Sequence, residues 1–297
     1  MKNFKLTGTG VALVTPFHSS GNIDFSSLSE LVEYVIRGGV DFVVVLGTTA
    51  EAATMNADEK RAVVETVYEV VDGRVGVVVG AGGNNTRQVV NLLSDIDCSK
   101  TDAVLSVSPY YNKPNQKGIY AHFKEIAMAT DLPVIVYNVP GRTSSNITAE
   151  TVLRLASDFD NIKAVKEASG NMIQIMNIIK NKPEDFTVLS GDDALTLPIL
   201  AAGGDGVISV VANAYPKTFS DMVSQMVNGG DRYAALRNHY QLLDVISALF
   251  EDGNPAGIKA LLEIKGILKN NLRLPLVKAN RQVYNKLKML DETMNLS

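Results

Sequence analysis

Phe42-Val43-Val44-Val45-Leu46-Gly47-Thr48-Thr49 is an unbroken apolar run that leaves through a glycine and two hydroxyls. Strict alternation would mark a strand with one wet face, whereas a continuous run marks one covered on both faces. Runs of the same kind recur at residues 11–14, 75–79, 103–107, 134–137, 162–166, 187–189 and 207–210, which with 42–46 makes eight. Helical periodicity fills the gaps. Leu28, Leu31, Val32, Val35 and Ile36 stop at Gly38-Gly39, and Val63, Val64, Val67, Val70 and Val71 stop before Gly73. Eight strand–helix units spaced by about 25–30 residues predict an α/β protein, a closed (β/α)8 TIM barrel rather than an open sheet. The open doubly wound alternative needs G-x-G-x-x-G after a strand, and Gly80-Ala81-Gly82-Gly83-Asn84-Asn85 lacks the third glycine.

Beyond Asn228-Gly229-Gly230-Asp231 the strand signal ends, and Ala235, Leu236, Tyr240, Leu243, Ile258, Leu261 and Leu262 carry only helical spacing. This divides the chain into a catalytic barrel over 1–228 and a C-terminal helical appendage over 229–297. Hydrophobic residues make up 46% of the 297 and charged residues 20%, which excludes a disordered or fibrous chain. A net charge of -4 offers no counterion-releasing surface for nucleic acid. The first residues, Met1 to Gly8, are charged and lack an apolar leader core, and no later run is long enough to span a bilayer. With a single cysteine, Cys98, read as a small filler after a helix, this predicts a cytoplasmic enzyme without disulfides or a membrane partner.

In such barrels the working residues project from the C-terminal strand ends and the loops that follow. No three metal-ligating side chains converge there: His18 lies in the first loop, His122 in a helix and His239 in the appendage, so neither metal nor cofactor is expected. Asp192 and Asp193 after strand 7 read as helix caps that would repel phosphate, and Gly203-Gly204-Asp205-Gly206 reads as a bottom-face turn. Lys166 is the unusual residue, because it closes an apolar run and by alternation shares a face with Ile162 and Ala164. A lysine pointing into the barrel mouth loses hydration, its pKa falls, and its free amine can attack a carbonyl; a solvated loop lysine is the competing reading, and it holds for Lys163. Tyr137 ends the neighbouring strand and could trade protons at the same point. Thr48 and Thr49 could relay a proton or hold a carboxylate, although Gly-Thr-Thr is also an ordinary strand exit. Tyr110-Tyr111 beside Pro109 could be packing alone.

At these positions the chain resembles the dihydrodipicolinate synthase family, in the pyruvate-dependent aldolase superfamily that also holds N-acetylneuraminate lyase. The resemblance runs the length of the chain: Ala12-Leu-Val-Thr-Pro16, Gly47-Thr-Thr-Ala-Glu51, Ser108-Pro-Tyr-Tyr-Asn112, Tyr137-Asn-Val-Pro-Gly-Arg-Thr143, Val165-Lys-Glu167, Ser190-Gly-Asp-Asp193, Gly206-Val-Ile-Ser209, Asn254-Pro255 and Leu272-Arg-Leu-Pro275. It implies that Lys166 forms an imine with pyruvate while Tyr137 shuttles protons. It also implies that Thr48 and Tyr111 complete a relay, with Tyr111 supplied by a neighbouring subunit of a homotetramer, a dimer of dimers. Thr49 would hold the pyruvate carboxylate, Gly191 and Ile208 would line the site through their backbone, and the second substrate would be L-aspartate 4-semialdehyde. Arg142 separates the relatives, since a guanidinium there suits a carboxylate held by two parallel hydrogen bonds. A lyase of a longer oxo-sugar acid and a non-catalytic oxo-acid-binding paralogue are the alternatives.

Two departures stand out. Ala50 occupies a position where glycine is usual, and a methyl there is strained if φ is positive. Some members also bind L-lysine at an allosteric site, which Asn84 and Tyr110 match here. Ala57 and Gln88 stand where histidine and glutamate are usual in sensitive members, so inhibition by L-lysine is expected to be weak or absent; strong submillimolar inhibition would refute this.

Overall fold

The structure is a computed structural model that describes residues 5–294, so Met1 to Phe4 of the charged N-terminal stretch lie outside the described residues. Eight parallel strands form a closed barrel in sequence order. They are β1 (Gly8–Ala12), β2 (Phe42–Val45), β3 (Gly76–Gly80), β4 (Ala103–Val107), β5 (Val134–Asn138), β6 (Ile162–Glu167), β7 (Thr187–Ser190) and β8 (Gly206–Ser209). Closure is made by β1 pairing with β8, Gly8 opposite Gly206 through Val11 opposite Ser209.

The outer ring contains α1 (Phe25–Arg37), α2 (Ala57–Val71), α3 (Thr86–Leu93) and α4 (Gln116–Met128). It continues with the single-turn α5 (Pro140–Thr143), then α6 (Ala149–Asp158), α7 (Met172–Asn181), α8 (Thr196–Ala201) and α9 (Pro216–Val227). The appendage adds α10 (Arg232–Glu251), α11 (Ala256–Ile264) and α12 (Arg281–Met294). Side-chain caps start the principal barrel helices; Asn56 and Glu59 form a reciprocal capping box on α2.

Two packing layers follow from the strands' two apolar faces. Phe42, Val44, Val78, Leu105, Ile135, Ala164, Leu189 and Ile208 fill the interior, and the other faces pack beneath the helices. The buried stripes of α9, α10 and α11 belong to the same cluster as α1 and α2. Along α10 that stripe runs through Ala235, His239, Leu242, Val245 and Leu249, while Tyr240 faces solvent.

Four details differ from expectation. β1 starts at Gly8 rather than residue 11, because Gly8 and Gly10 hide it from β-propensity; a Cβ on Gly10 would lie 2.1 Å from the Phe42 ring, so the interior demands glycine there. Ile162 does not share a face with Lys166. The β5–β6 register shifts so that Val134 pairs with Ile162 and Ile135 with Ala164, which turns Ile162 outward beneath the helices and leaves Ala164 and Lys166 inward. Cys98 is exposed and fills no gap. Ala50 is not strained; the left-handed residues flanking the threonines are Leu46 (φ 59°) and Glu51 (φ 57°).

Candidate active site

Tyr137 and Lys166 are register partners at the ends of β5 and β6. Both face inward, and the Lys166 Nζ lies 4.4 Å from the centre of the Tyr137 ring. Lys166 is only 6% exposed, and burial pulls its pKa from 10.5 to about 8; the Asp193 carboxylate opposes the change and Arg142 reinforces it. Burial pushes the Tyr137 phenol above its ordinary range, opposed by Arg142 and by a hydrogen bond with the Thr48 hydroxyl. An amine that releases its proton easily therefore faces a phenol that keeps its own, with Thr48 connecting the phenol to solvent.

The next residue on each strand points the other way and anchors the pair. Asn138 donates through Nδ2 to the Glu167 carboxylate and accepts at Oδ1 from Ile147 N at 2.9 Å, while Ser169 Oγ donates to Glu167 at 2.6 Å. Both Asn138 and Glu167 are fully buried, and burial raises the Glu167 pKa despite those donors. They were readable only as motif neighbours; the signal was a charged residue next to Lys166 at the end of an apolar run.

Gly191 closes one wall. A Cβ there would lie 3.0 Å from Lys166 Cε and 2.8 Å from Ala168 Cβ, so only glycine leaves room for the lysine stem. Ile208 is buried in the barrel interior, and Thr49 is buried in a 3-10 turn, Thr48–Ala50, at the end of β2. Arg142 lies in α5, exposed at the mouth, near enough for its charge to act on both Tyr137 and Lys166. Tyr111 does not join them: with φ 69° and 88% exposure it projects into solvent from the loop after β4.

Of the acidic pair, Asp192 holds the turn before α8, accepting from Ala194 N at 3.0 Å, but it does not cap that helix, whose N-terminus has no side-chain cap. Asp193 does not cap it either. It is buried and accepts from Val210 N and Val211 N at the exit of β8, with its pKa pushed up to about 6 by desolvation. A second aspartate after a strand looks like a cap in sequence, and its partners 17 and 18 residues away are invisible there. At the matched allosteric positions, Asn84 Nδ2 donates to Tyr110 O at 3.1 Å, while Ala57 and Gln88 are exposed. His122 and His239 are buried inside helices, and burial lowers both, His122 to about 4. Among the described residues no group of three or more His, Cys, Asp or Glu converges to hold a metal ion, and no helix is long and apolar enough to cross a membrane.

A closed (β/α)8 barrel whose mouth holds a dehydrated lysine against a phenol defines a class, the lyases of class I aldolase type, which join or split carbon chains at an amine-bound carbonyl compound. The comparisons narrow the class. The model of the dihydrodipicolinate synthetase family matches residues 5–293, and the chain belongs to that family. It is 51% identical over 288 residues to 4-hydroxy-tetrahydrodipicolinate synthase of Flavobacterium psychrophilum, covering 97% of this chain and 98% of that one. The crystal structure of dihydrodipicolinate synthase from Thermotoga maritima superposes with a TM-score of 0.95 at 40% identity, covering 98% of this chain and 99% of the other. A monomeric dihydrodipicolinate synthase variant is equally similar, with a TM-score of 0.95, 40% identity and coverage of 98% and 97%.

Proposed function

We propose that this enzyme condenses pyruvate with L-aspartate 4-semialdehyde to give 4-hydroxy-tetrahydrodipicolinate, the committed step toward diaminopimelate and lysine, in the cytoplasm. The observation that carries the reading is the buried Lys166 amine, with its pKa near 8, set against Tyr137. The neutral amine attacks the keto carbon of pyruvate and water leaves, forming an imine. Loss of a methyl proton gives the enamine, whose carbon adds to the aldehyde, and cyclisation releases Lys166. Tyr137 and Thr48 carry the protons, Thr49 with the backbone of Gly191 and Ile208 holds the pyruvate, and Arg142 takes the semialdehyde's carboxylate by two parallel hydrogen bonds. Tyr111 completes the relay of a neighbouring subunit within a homotetramer, a reading its exposure supports. With Ala57 and Gln88 in place of a cation-binding pair, L-lysine inhibits weakly or not at all.

Borohydride reduction with pyruvate, followed by peptide mapping, is expected to leave a stable adduct on Lys166. A label elsewhere takes the role from Lys166, and no label at all removes the imine mechanism. Comparing L-aspartate 4-semialdehyde with a sugar aldehyde as the second substrate distinguishes the synthase from a sialic-acid-type lyase.

A further inference from the structure

The turn carrying Thr48 and Thr49 is fastened to the helical appendage as well as to the barrel. Asn254, in the connection between α10 and α11, donates from Nδ2 to Thr49 Oγ1 at 2.9 Å across 205 residues of chain, and both side chains are buried. Two residues beyond Thr49, the carboxylate of Glu51 is fully buried on Lys259 of α11 and accepts the backbone N–H of Arg273 at 3.0 Å. The Arg273 guanidinium lies 4.5 Å from the centre of the Phe17 ring and pairs with Glu59. The appendage therefore grips the threonine turn at a side chain and at its exit.

A hydroxyl that accepts a hydrogen bond from an amide still has its own hydrogen to give. Asn254 Nδ2 has no lone pair to accept it, so that hydrogen is left for an acceptor other than the amide nitrogen. Asn254 Oδ1, by contrast, is buried with no hydrogen-bond partner among the described residues. A group serving stability alone is normally matched at both amide atoms, and an unmatched one costs free energy.

We propose that Asn254 is a positioning residue for the oxo-acid carboxylate: it orients the Thr49 hydroxyl, so that the C-terminal appendage forms part of the pyruvate site. This rests on the reading in which Thr49 holds that carboxylate. Steady-state kinetics of the full-length enzyme carrying Asn254→Ala, Thr49→Val, or both test it. Loss of one oriented hydrogen bond is expected to raise KM for pyruvate about tenfold. KM for the semialdehyde and kcat are expected to stay within about twofold, and in the Thr49→Val background Asn254→Ala is expected to change KM for pyruvate by less than about twofold.

A parallel rise in both KM values, or an Asn254→Ala effect that persists undiminished when Thr49 is valine, assigns Asn254 a purely structural role and overturns the proposal. If Thr49→Val leaves KM for pyruvate unchanged, the assignment of Thr49 to the carboxylate fails and positioning through it fails too; borohydride trapping on Lys166 then reports separately whether the imine chemistry stands. Should Asn254→Ala not yield folded protein, the isosteric Asn254→Asp removes the donor and adds a like charge. It is expected to raise KM for pyruvate by more than about tenfold, and an unchanged KM overturns the proposal.

Discussion

Holding Lys166 where its charge is poorly solvated costs stability. Its pKa is about 8 in the fold against 10.5 when solvated. Below about pH 8 the native state carries the whole penalty of a buried ammonium; between there and about pH 10.5 the unfolded chain binds more protons than the native one, so stability rises with pH through that window. The penalty is up to about 3 kcal/mol. Lys166→Met is therefore expected to abolish activity yet stabilise the protein at neutral pH by that order, with the gain shrinking as pH approaches 10 in denaturant titrations. In the wild type, kcat/KM for pyruvate should rise about tenfold per pH unit and level off near pH 8; a profile flat from pH 6 to 9 contradicts the lowered pKa. Lys166 was legible in the sequence because a charge inside an apolar run is anomalous. Asp193 was not, because its burial against the exit of β8 is a property of the closed barrel.

At the scale of elements, every strand core could be read from its apolar run, with the losses at the ends. Gly8 and Gly10 concealed the start of β1, and the register shift between β5 and β6 broke the alternation used to place Ile162. A pairing between elements distant in sequence left no such trace. Glu51 and Lys259 each look like an ordinary charged residue of a loop and a helix, yet both side chains are 0% exposed and joined. Burial pulls the Lys259 ammonium below its ordinary range, with Glu51 opposing that shift. Removing one member strands the other charge in a dry site, so Lys259→Met or Glu51→Gln alone is expected to destabilise by about 3–5 kcal/mol. The double variant should recover much of that loss, since two neutral side chains leave no buried charge. Thermal melts of the three proteins check this, and equal losses in the single and double variants would argue against it.

At the scale of the whole molecule, one chain's periodicity is silent about assembly, because a residue awaiting a partner looks like any exposed residue. Tyr111, projecting from the loop after β4, is the case in point. If it serves a neighbour's site, Tyr111→Phe and Lys166→Ala enzymes are each nearly inactive alone. Subunit exchange between them should then restore up to about a quarter of wild-type activity, through mixed dimers with one intact site. Absence of recovery after verified exchange would show that Tyr111 does not act in a neighbour's site. The join between β1 and β8 bears on synthesis rather than catalysis. While the ribosome is still making the last strand, the first has one hydrogen-bonding edge with no native neighbour, available to other nascent chains. Slowed translation before residues 206–209 have left the ribosome should therefore promote aggregation more than an equal delay after both halves of that seam have emerged.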